Sequence, residues 1–251
     1  MIMKHLHTVL YCLFILTLFF GMSMPLIPLH AQSSDSSVDI LWEADSYTPP
    51  LYRGKGLRVG PQQVKFVAFP YVTNTQGNTI SNQSLYFTWK VSGRVIGRAS
   101  GLGQNVAYLN LSLKDTPVTL EVYSSDRNTL YAKETVLVDN SEPEVLVYEK
   151  DPLLGILFNK RIDSDYTLQD EETEFVAFPY FFSVTHNSSS SLEYLWKINN
   201  TYATRGVGKS SILLQKGGAR GSSLVSIEVI HTKNVFQEVL SKFTVSLGDT
   251  L

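Results

Sequence analysis

Beyond the first thirty or so residues, apolar side chains fall in short runs that either alternate with polar neighbours or stay apolar and β-branched for a few positions. Runs of this kind read as strands facing a core on one or both sides, and no sustained 3.6-residue period calls for a helix. The first half of the chain offers seven candidate strands: Val38 to Trp42, Val64 to Val72, Leu85 to Val91, Val95 to Arg98, Val106 to Leu113, Val118 to Tyr123 and Leu130 to Val138. Between them lie polar and glycine-containing clusters such as Asn74 to Asn78, Ser92-Gly93, Ser125 to Asn128 and Asp139 to Pro143, the composition that turns require. The second half repeats the rhythm in Val145 to Tyr148, Phe175 to Phe182, Leu192 to Ile198, Ser211 to Gln215, Leu224 to His231 and Val235 to Val245.

The halves share more than rhythm. Phe66-Val-Ala-Phe-Pro-Tyr71 returns as Phe175-Val-Ala-Phe-Pro-Tyr180, 109 positions later. At an offset of 107, Trp89 falls on Trp196, Arg98 on Arg205, Gly101 on Gly208, and Val118-Thr-Leu-Glu-Val122 on Val225-Ser-Ile-Glu-Val229. Upstream, Trp42-Glu-Ala-Asp45 falls on Tyr148-Glu-Lys-Asp151 at an offset of 106, which sets Tyr52 against Phe158. Nearly constant offsets over a whole segment indicate duplication, and a unit of about 100 residues is the usual size of one domain. The expected modules are 38–139 and 144–251, joined by the polar stretch Asp139 to Glu144. A joint this short allows little freedom, so the modules are expected end to end.

Seven short strands with one tryptophan in the third principal strand point to an immunoglobulin-like sandwich. The segments Tyr86-Phe-Thr-Trp-Lys-Val91 and Tyr194-Leu-Trp-Lys-Ile198, each followed by a polar turn, resemble the tryptophan strands of cysteine-free Ig-like and PKD-like modules in bacterial surface proteins. Where PKD domains usually carry Phe-Gly-Asp-Gly after that strand, Ser92-Gly-Arg94 and Asn199-Asn-Thr201 stand here. The opening Trp42 to Lys55 is also similar to that of exported bacterial proteins with tandem modules of this kind, and no activity comes with that resemblance. The implied fold is all-β, two tandem immunoglobulin-like β-sandwiches after an N-terminal signal or anchor helix. Trp89, Trp196, Phe66, Phe69, Phe175 and Phe178 are its expected structural core. Pro49-Pro50 is expected to be extended, in an edge segment, because proline cannot donate to a sheet ladder.

Residues 1–31 have the shape of an export signal, with Lys4, His5 and His7 before the apolar run Val9 to Met22, and Leu29-His-Ala31 as a cleavage site. The apolar run is long enough that retention as an N-terminal membrane anchor is the alternative to cleavage. Either way the modules are placed outside the cytoplasm, at the cell surface or free. The only cysteine, Cys12, lies in this segment, so the modules hold no disulfide and must be stabilised by apolar cores. A net charge of −2 provides no basic field for nucleic acid or an anionic membrane.

Candidate chemistry is sparse. Ala203-Thr-Arg-Gly-Val-Gly-Lys-Ser210 approaches a phosphate-loop pattern, but Ser211 to Gln215 reads as a strand where a helix is required, so a turn is expected. Asp139, Asn140, Asp163 and Asp165 are candidate oxygen ligands for a stiffening calcium ion, with Glu43, Asp45, Glu149 and Asp151 as a second set. Glu121 with Arg98, and Glu228 with Arg205, are candidate cross-sheet ion pairs. Only His186 and His231 remain outside the leader, too few for a zinc site or a histidine-based triad. Tyr47, Tyr52, Tyr71, Tyr180, Phe181 and Phe182 are aromatics that could stack on sugar rings or anchor a protein interface. The resulting expectation is a non-enzymatic envelope protein, structural or adhesive, without a cofactor. Carbohydrate binding and a spacer role in an envelope assembly such as a pilus or secretion complex are the alternatives. An envelope protein or a glycan is the expected partner.

Overall fold

Alternation decides the first module strand by strand. In β2 (Gln62–Tyr71), Gln62, Val64, Phe66 and Ala68 are buried while Gln63, Lys65, Phe69 and Tyr71 are exposed, the period of two that a half-buried strand imposes. The computed structural model describes residues 36–218 and 220–247. The expected signal or anchor helix, cleavage at Ala31 and Cys12 lie outside the described residues. β1 (Ser37–Ala44), β2 and β6 (Val106–Leu111) make a three-stranded antiparallel sheet in the order β1-β2-β6. The facing sheet runs β4 (Arg94–Val95), β3 (Leu85–Val91), β7 (Thr116–Ser124), β8 (Leu130–Val138), with β5 (Gly101–Leu102) paired to β3. Val64, Phe66 and Leu109 from one sheet meet Phe87, Trp89 and Leu120 from the other in a single buried core. This two-sheet arrangement is a β-sandwich.

The second module repeats the plan with additions. One sheet is β10 (Gly155–Ile162), β9 (Glu144–Asp151), β12 (Glu172–Tyr180), β15 (Ser211–Gln215). The other is β11 (Asp165–Leu168), β17 (Glu238–Leu247), β16 (Gly221–His231), β13 (Leu192–Ile198), β14 (Thr201–Val207). Trp89 pairs across the ladder with Leu120 and Trp196 with Ile227, the same pairing 107 positions on. Phe175, Trp196, Ile227 and Phe243 lie in the second core.

Three strands of this module were not legible as strands. β14 is almost wholly exposed and polar, β11 has four residues, and β10 changes register on β9 between Ile156 and Arg161. In the first module the expected strand Val95 to Arg98 is corrected to the two-residue β4 and a 3-10 turn, Gly97–Ala99. The two recurring prolines, Pro70 and Pro179, are tolerated because pairing to β6 stops at Val67 and pairing to β15 stops at Val176. A missing N–H past those points breaks no ladder bond on that side.

Candidate interaction face

The two copies of the hexapeptide expose different residues. Phe66 and Phe69 are three positions apart, an odd spacing, so in a strand they point to opposite faces. Phe66 is fully buried in the first core, and Phe69 is 44% exposed on the outer side of the sheet. This corrects its expected place in the core. Phe178, the equivalent of Phe69, is only 3% exposed, yet it too lies outside the sandwich core, in a third apolar cluster with Tyr148, Val176, Tyr180 and Phe181. Trp89, Trp196, Phe66 and Phe175 are all fully buried in the two sandwich cores. The parity of the spacing within the hexapeptide was the signal that separates the two phenylalanines of each copy.

What covers the second copy is built from both modules. Phe158 of β10 lies 5.3 Å from both Tyr148 and Phe178, so this module folds an aromatic back onto its own outer face. Tyr180 and Phe181 are covered by Tyr52 of the first module, whose ring makes edge contacts at 5.7 and 5.8 Å. Val38 pairs with Pro70 and Val145 with Pro179, which corrects the expected offset of 106 to 107, so Tyr52 and Phe158 are not matched residues but lie in corresponding segments, each following the first strand of its module. In the second copy the aromatic covers its own module, and in the first it covers the neighbour.

The segment carrying Tyr52 is held by hydrogen bonds along its length. Tyr47 donates its N–H to Phe182 at 2.7 Å and its carbonyl accepts from Phe181 N–H at 2.9 Å, a two-bond bridge between modules. Phe181 has a φ of 67°, an unusual conformation for a bulky residue. Tyr52 N–H closes a turn on Pro49 at 3.2 Å. Pro49-Pro50 therefore sits in a turn and not in the extended edge segment expected. Farther along, Gln237 reaches Val59 carbonyl at 3.1 Å while accepting from Ser183.

Gly60, with a φ of 70°, lies so close to Phe236 that a Cβ would come within 2.8 Å of the phenylalanine Cβ. Only glycine fits both conditions. Arg58, fully buried, donates to the carbonyls of Gly60, Ser112, Lys114 and Val138, tying the segment into the end of the first module. Burial lowers its pKa, partly offset by Asp115 and Asp139. Nothing in the sequence marked Arg58 or Gln237, because each acts on backbone carbonyls distant in the chain.

Among the described residues, nothing comparable covers the first module's outer face. Leu41 pairs with Val67 and Val67 with Val106 across the three strands, and Phe69, Tyr71 and Tyr108 extend the apolar area. Tyr71 is 56% exposed where its equivalent Tyr180 is 8% exposed. Burial raises the Tyr180 hydroxyl pKa, helped by its hydrogen bond with Tyr148. At the edge of the bare face, a groove of about 410 Å³ is lined by Leu41, Trp42, Glu43, Lys55, Lys65 and Val67 among others. The ammonium of Lys55 stands 3.3 Å from the centre of the Trp42 ring, a cation–π contact that caps the one tryptophan not fully buried.

The other candidate chemistry disperses. Asn140 Oδ1 accepts from Gly60 N–H and its own N–H binds Asp115, while Asp163 pairs with Arg161 and Asp165 lies in β11. In the second set, Glu43 accepts from Gly56 N–H, Glu149 from the Tyr166 hydroxyl, and Asp151 from two backbone N–H groups of its own turn. Among the described residues no group of three or more His, Cys, Asp or Glu side chains is placed to hold a metal. The phosphate-loop-like stretch spans β14 and the turn into β15.

The expected Glu–Arg pairs are also corrected. Glu121 binds Lys90 at 2.7 Å and Lys133 at 3.3 Å, Glu228 faces Lys197 at 3.7 Å, and Arg205 pairs with Glu193. The lysine directly after the tryptophan recurs in both copies as Lys90 and Lys197, so it was the available signal. Of the aromatics singled out, Tyr47, Tyr52, Tyr180 and Phe181 converge at the junction, Phe182 enters the second core, and Tyr71 stands on the bare face.

No protein-family model matches the chain, and no curated protein matches it in sequence. Solved structures with a related fold include three N-terminal domains of the bacteriophage RB49 highly immunogenic outer capsid protein, with a TM-score of 0.42 and 11% identity over 84% of this chain. The chain spans 59% of that structure's length. The fibronectin(III)-like modules of Clostridium thermocellum CbhA follow, with a TM-score of 0.26 and 11% identity over 82% of this chain and 94% of theirs. The central fibronectin-III array of RIM-binding protein gives 0.27 and 10%, over 83% and 70%. At these values the likenesses carry no functional argument.

Proposed function

We propose that the protein is a non-enzymatic, exported module of the cell envelope, structural or adhesive, that works as a stiff two-sandwich unit presenting an apolar sheet face to a protein partner. The observation that carries this reading is the contrast between the copies: among the described residues, an outer face carrying the same hexapeptide is covered in one module and bare in the other. Exposed aromatic and aliphatic side chains gathered on one face mark interaction surfaces. Export rests on the character of residues 1–31, and the PKD-like kinship on the tryptophan strands. Two features favour a protein partner over a glycan: Trp89 and Trp196 are buried, and the Trp42 ring is capped by Lys55.

Cross-linking of the full chain in intact cells, with envelope and supernatant both probed, tests the proposal. Recovery in cross-linked assemblies with the envelope fraction is the expected result. Recovery solely as free monomer in the supernatant overturns it.

A further inference from the structure

One corner of the sandwich is filled by the chain itself in the second module and left open in the first. β9 and β12 stand where β1 and β2 stand, but β9 carries a further antiparallel strand, β10, on its other edge. In the facing sheet β17, the counterpart of β8, carries β11. Both added strands come from the chain between β9 and β12. In the first module the chain between β1 and β2 goes to the junction instead. Among the described residues no strand pairs with the outer edge of β1, or with that of β8 beside it.

The ladder shows which main-chain groups are left open. Asp45 N–H bonds the Gln63 carbonyl at 3.2 Å, so the odd-numbered residues of β1 are the ones bonded to β2. The even-numbered ones turn N–H and C=O the other way, as Ala44 does in donating to the Gly56 carbonyl at 3.0 Å. Trp42 and Ile40, next along the same edge, have no such partner among the described residues. At the offset of 107, Ile40 and Leu41 correspond to Val147 and Tyr148, which pair with Ile162 and Arg161 of β10. In the first module this place is the groove of about 410 Å³, lined by Ile40 to Glu43 on one side and by Val136 of β8 on the other. Lys55 and Lys65, set against the single carboxylate of Glu43, leave its lining positive. Glu43 is already engaged by Gly56 N–H, and burial lowers the pKa of Lys55, with Asp139 partly offsetting it.

We propose that the outer edge of β1 binds an extended segment of a protein partner by antiparallel strand addition, with apolar side chains of that segment on Leu41 and Phe69 and an acidic one toward Lys55. This rests on the reading of the bare face as a protein interface and names how the partner holds it. The second module supplies the pattern: β10 pairs with β9 and lays Phe158 against Tyr148 and Phe178, the counterparts of Leu41 and Phe69. In such an arrangement main-chain hydrogen bonds give the affinity and alternate side chains the selectivity. An open strand edge beside an apolar face is otherwise a liability that folded chains cover or blunt.

The test adds to the purified full chain a capped synthetic peptide with the β10 sequence Gly155–Ile162, or the same peptide carrying Lys160→Glu and Arg161→Glu, and follows backbone amide exchange by nuclear magnetic resonance. Exchange at the Ile40 and Trp42 N–H groups should slow by about tenfold or more, while that of Leu41, already bonded to Val67, stays as it was. The acidic peptide should bind several-fold more tightly, with the advantage fading at high salt, and Lys55→Gln should narrow it. Binding that shifts only the Phe69 and Tyr71 side-chain signals overturns strand addition and leaves the face as an interface. Protection of Ile40 and Trp42 before any peptide is added also overturns it, since the chain itself or a second copy then fills the edge. Failure of both peptides to bind overturns it as well, while the envelope role is read separately by the cross-linking in cells.

Discussion

Phe69 and Phe178 occupy the same place in the same hexapeptide, yet one is solvent-exposed and the other is buried. The strands carrying them are alike in register and in what they send to the core. The difference lies in the chain just upstream. In the second module, β10 turns back and lays Phe158 on its own face; in the first, the equivalent segment leaves and lays Tyr52 on the neighbour. The two modules share the face, but the segment after the first strand covers its own module in the second copy and the neighbour in the first. Among the described residues, the first module's face is left without such a cover.

The contrast can be broken most directly by truncating both phenylalanines. Phe178→Ala should destabilise the protein by about 3–5 kcal/mol, as for a buried aromatic, while Phe69→Ala should change stability by less than about 0.5 kcal/mol, as for a surface position. Urea unfolding of each variant measures this, and equal losses would mean that the faces are not differently covered. Next in size, Tyr52→Ala removes two edge contacts and the apolar cover of Tyr180, a loss of about 2–3 kcal/mol. Its distinguishing sign is in calorimetry, where unfolding as one transition should separate into two as the sandwiches uncouple.

A smaller difference separates the two tryptophans. Trp89 Nε1 donates to Gln104 carbonyl at 2.9 Å, whereas Trp196 Nε1 is buried with no protein partner among the described residues. Trp89→Phe should therefore cost about 1 kcal/mol more than Trp196→Phe, since only the first removes a hydrogen bond. Parallel denaturation curves with equal midpoints would contradict that.

The smallest effect concerns Glu121. Burial pushes its pKa up, but hydrogen bonds from Lys90, Tyr123 and Lys133, with the Lys90 charge, outweigh burial and hold it below the ordinary carboxylate value of 4.5. Because folding lowers this pKa, the stabilisation is complete above that ordinary value and is lost as pH falls through the lowered one. Glu121→Gln should flatten the acid limb of the stability curve, measured by urea midpoints between neutral and acid pH. Glu228→Gln, with its lysine 3.7 Å away, should alter stability less.

Duplication, strand content, the tryptophan cores and the all-β class were legible along the chain, because each depends on side-chain alternation and spacing that neighbours in sequence impose. Phe66, Phe175, Trp89 and Trp196 could be placed from such patterns alone. Phe69 and Phe178 could be turned to the outer side by parity, but parity says nothing of what lies over that side. Their different burial was decided by the direction taken by the chain at Tyr52 and Phe158, and by Arg58 and Gln237, which bond carbonyls up to 178 positions away. A local pattern determines which way a side chain points from its own strand. What it meets there is set by long-range packing, and only the tertiary structure holds that information.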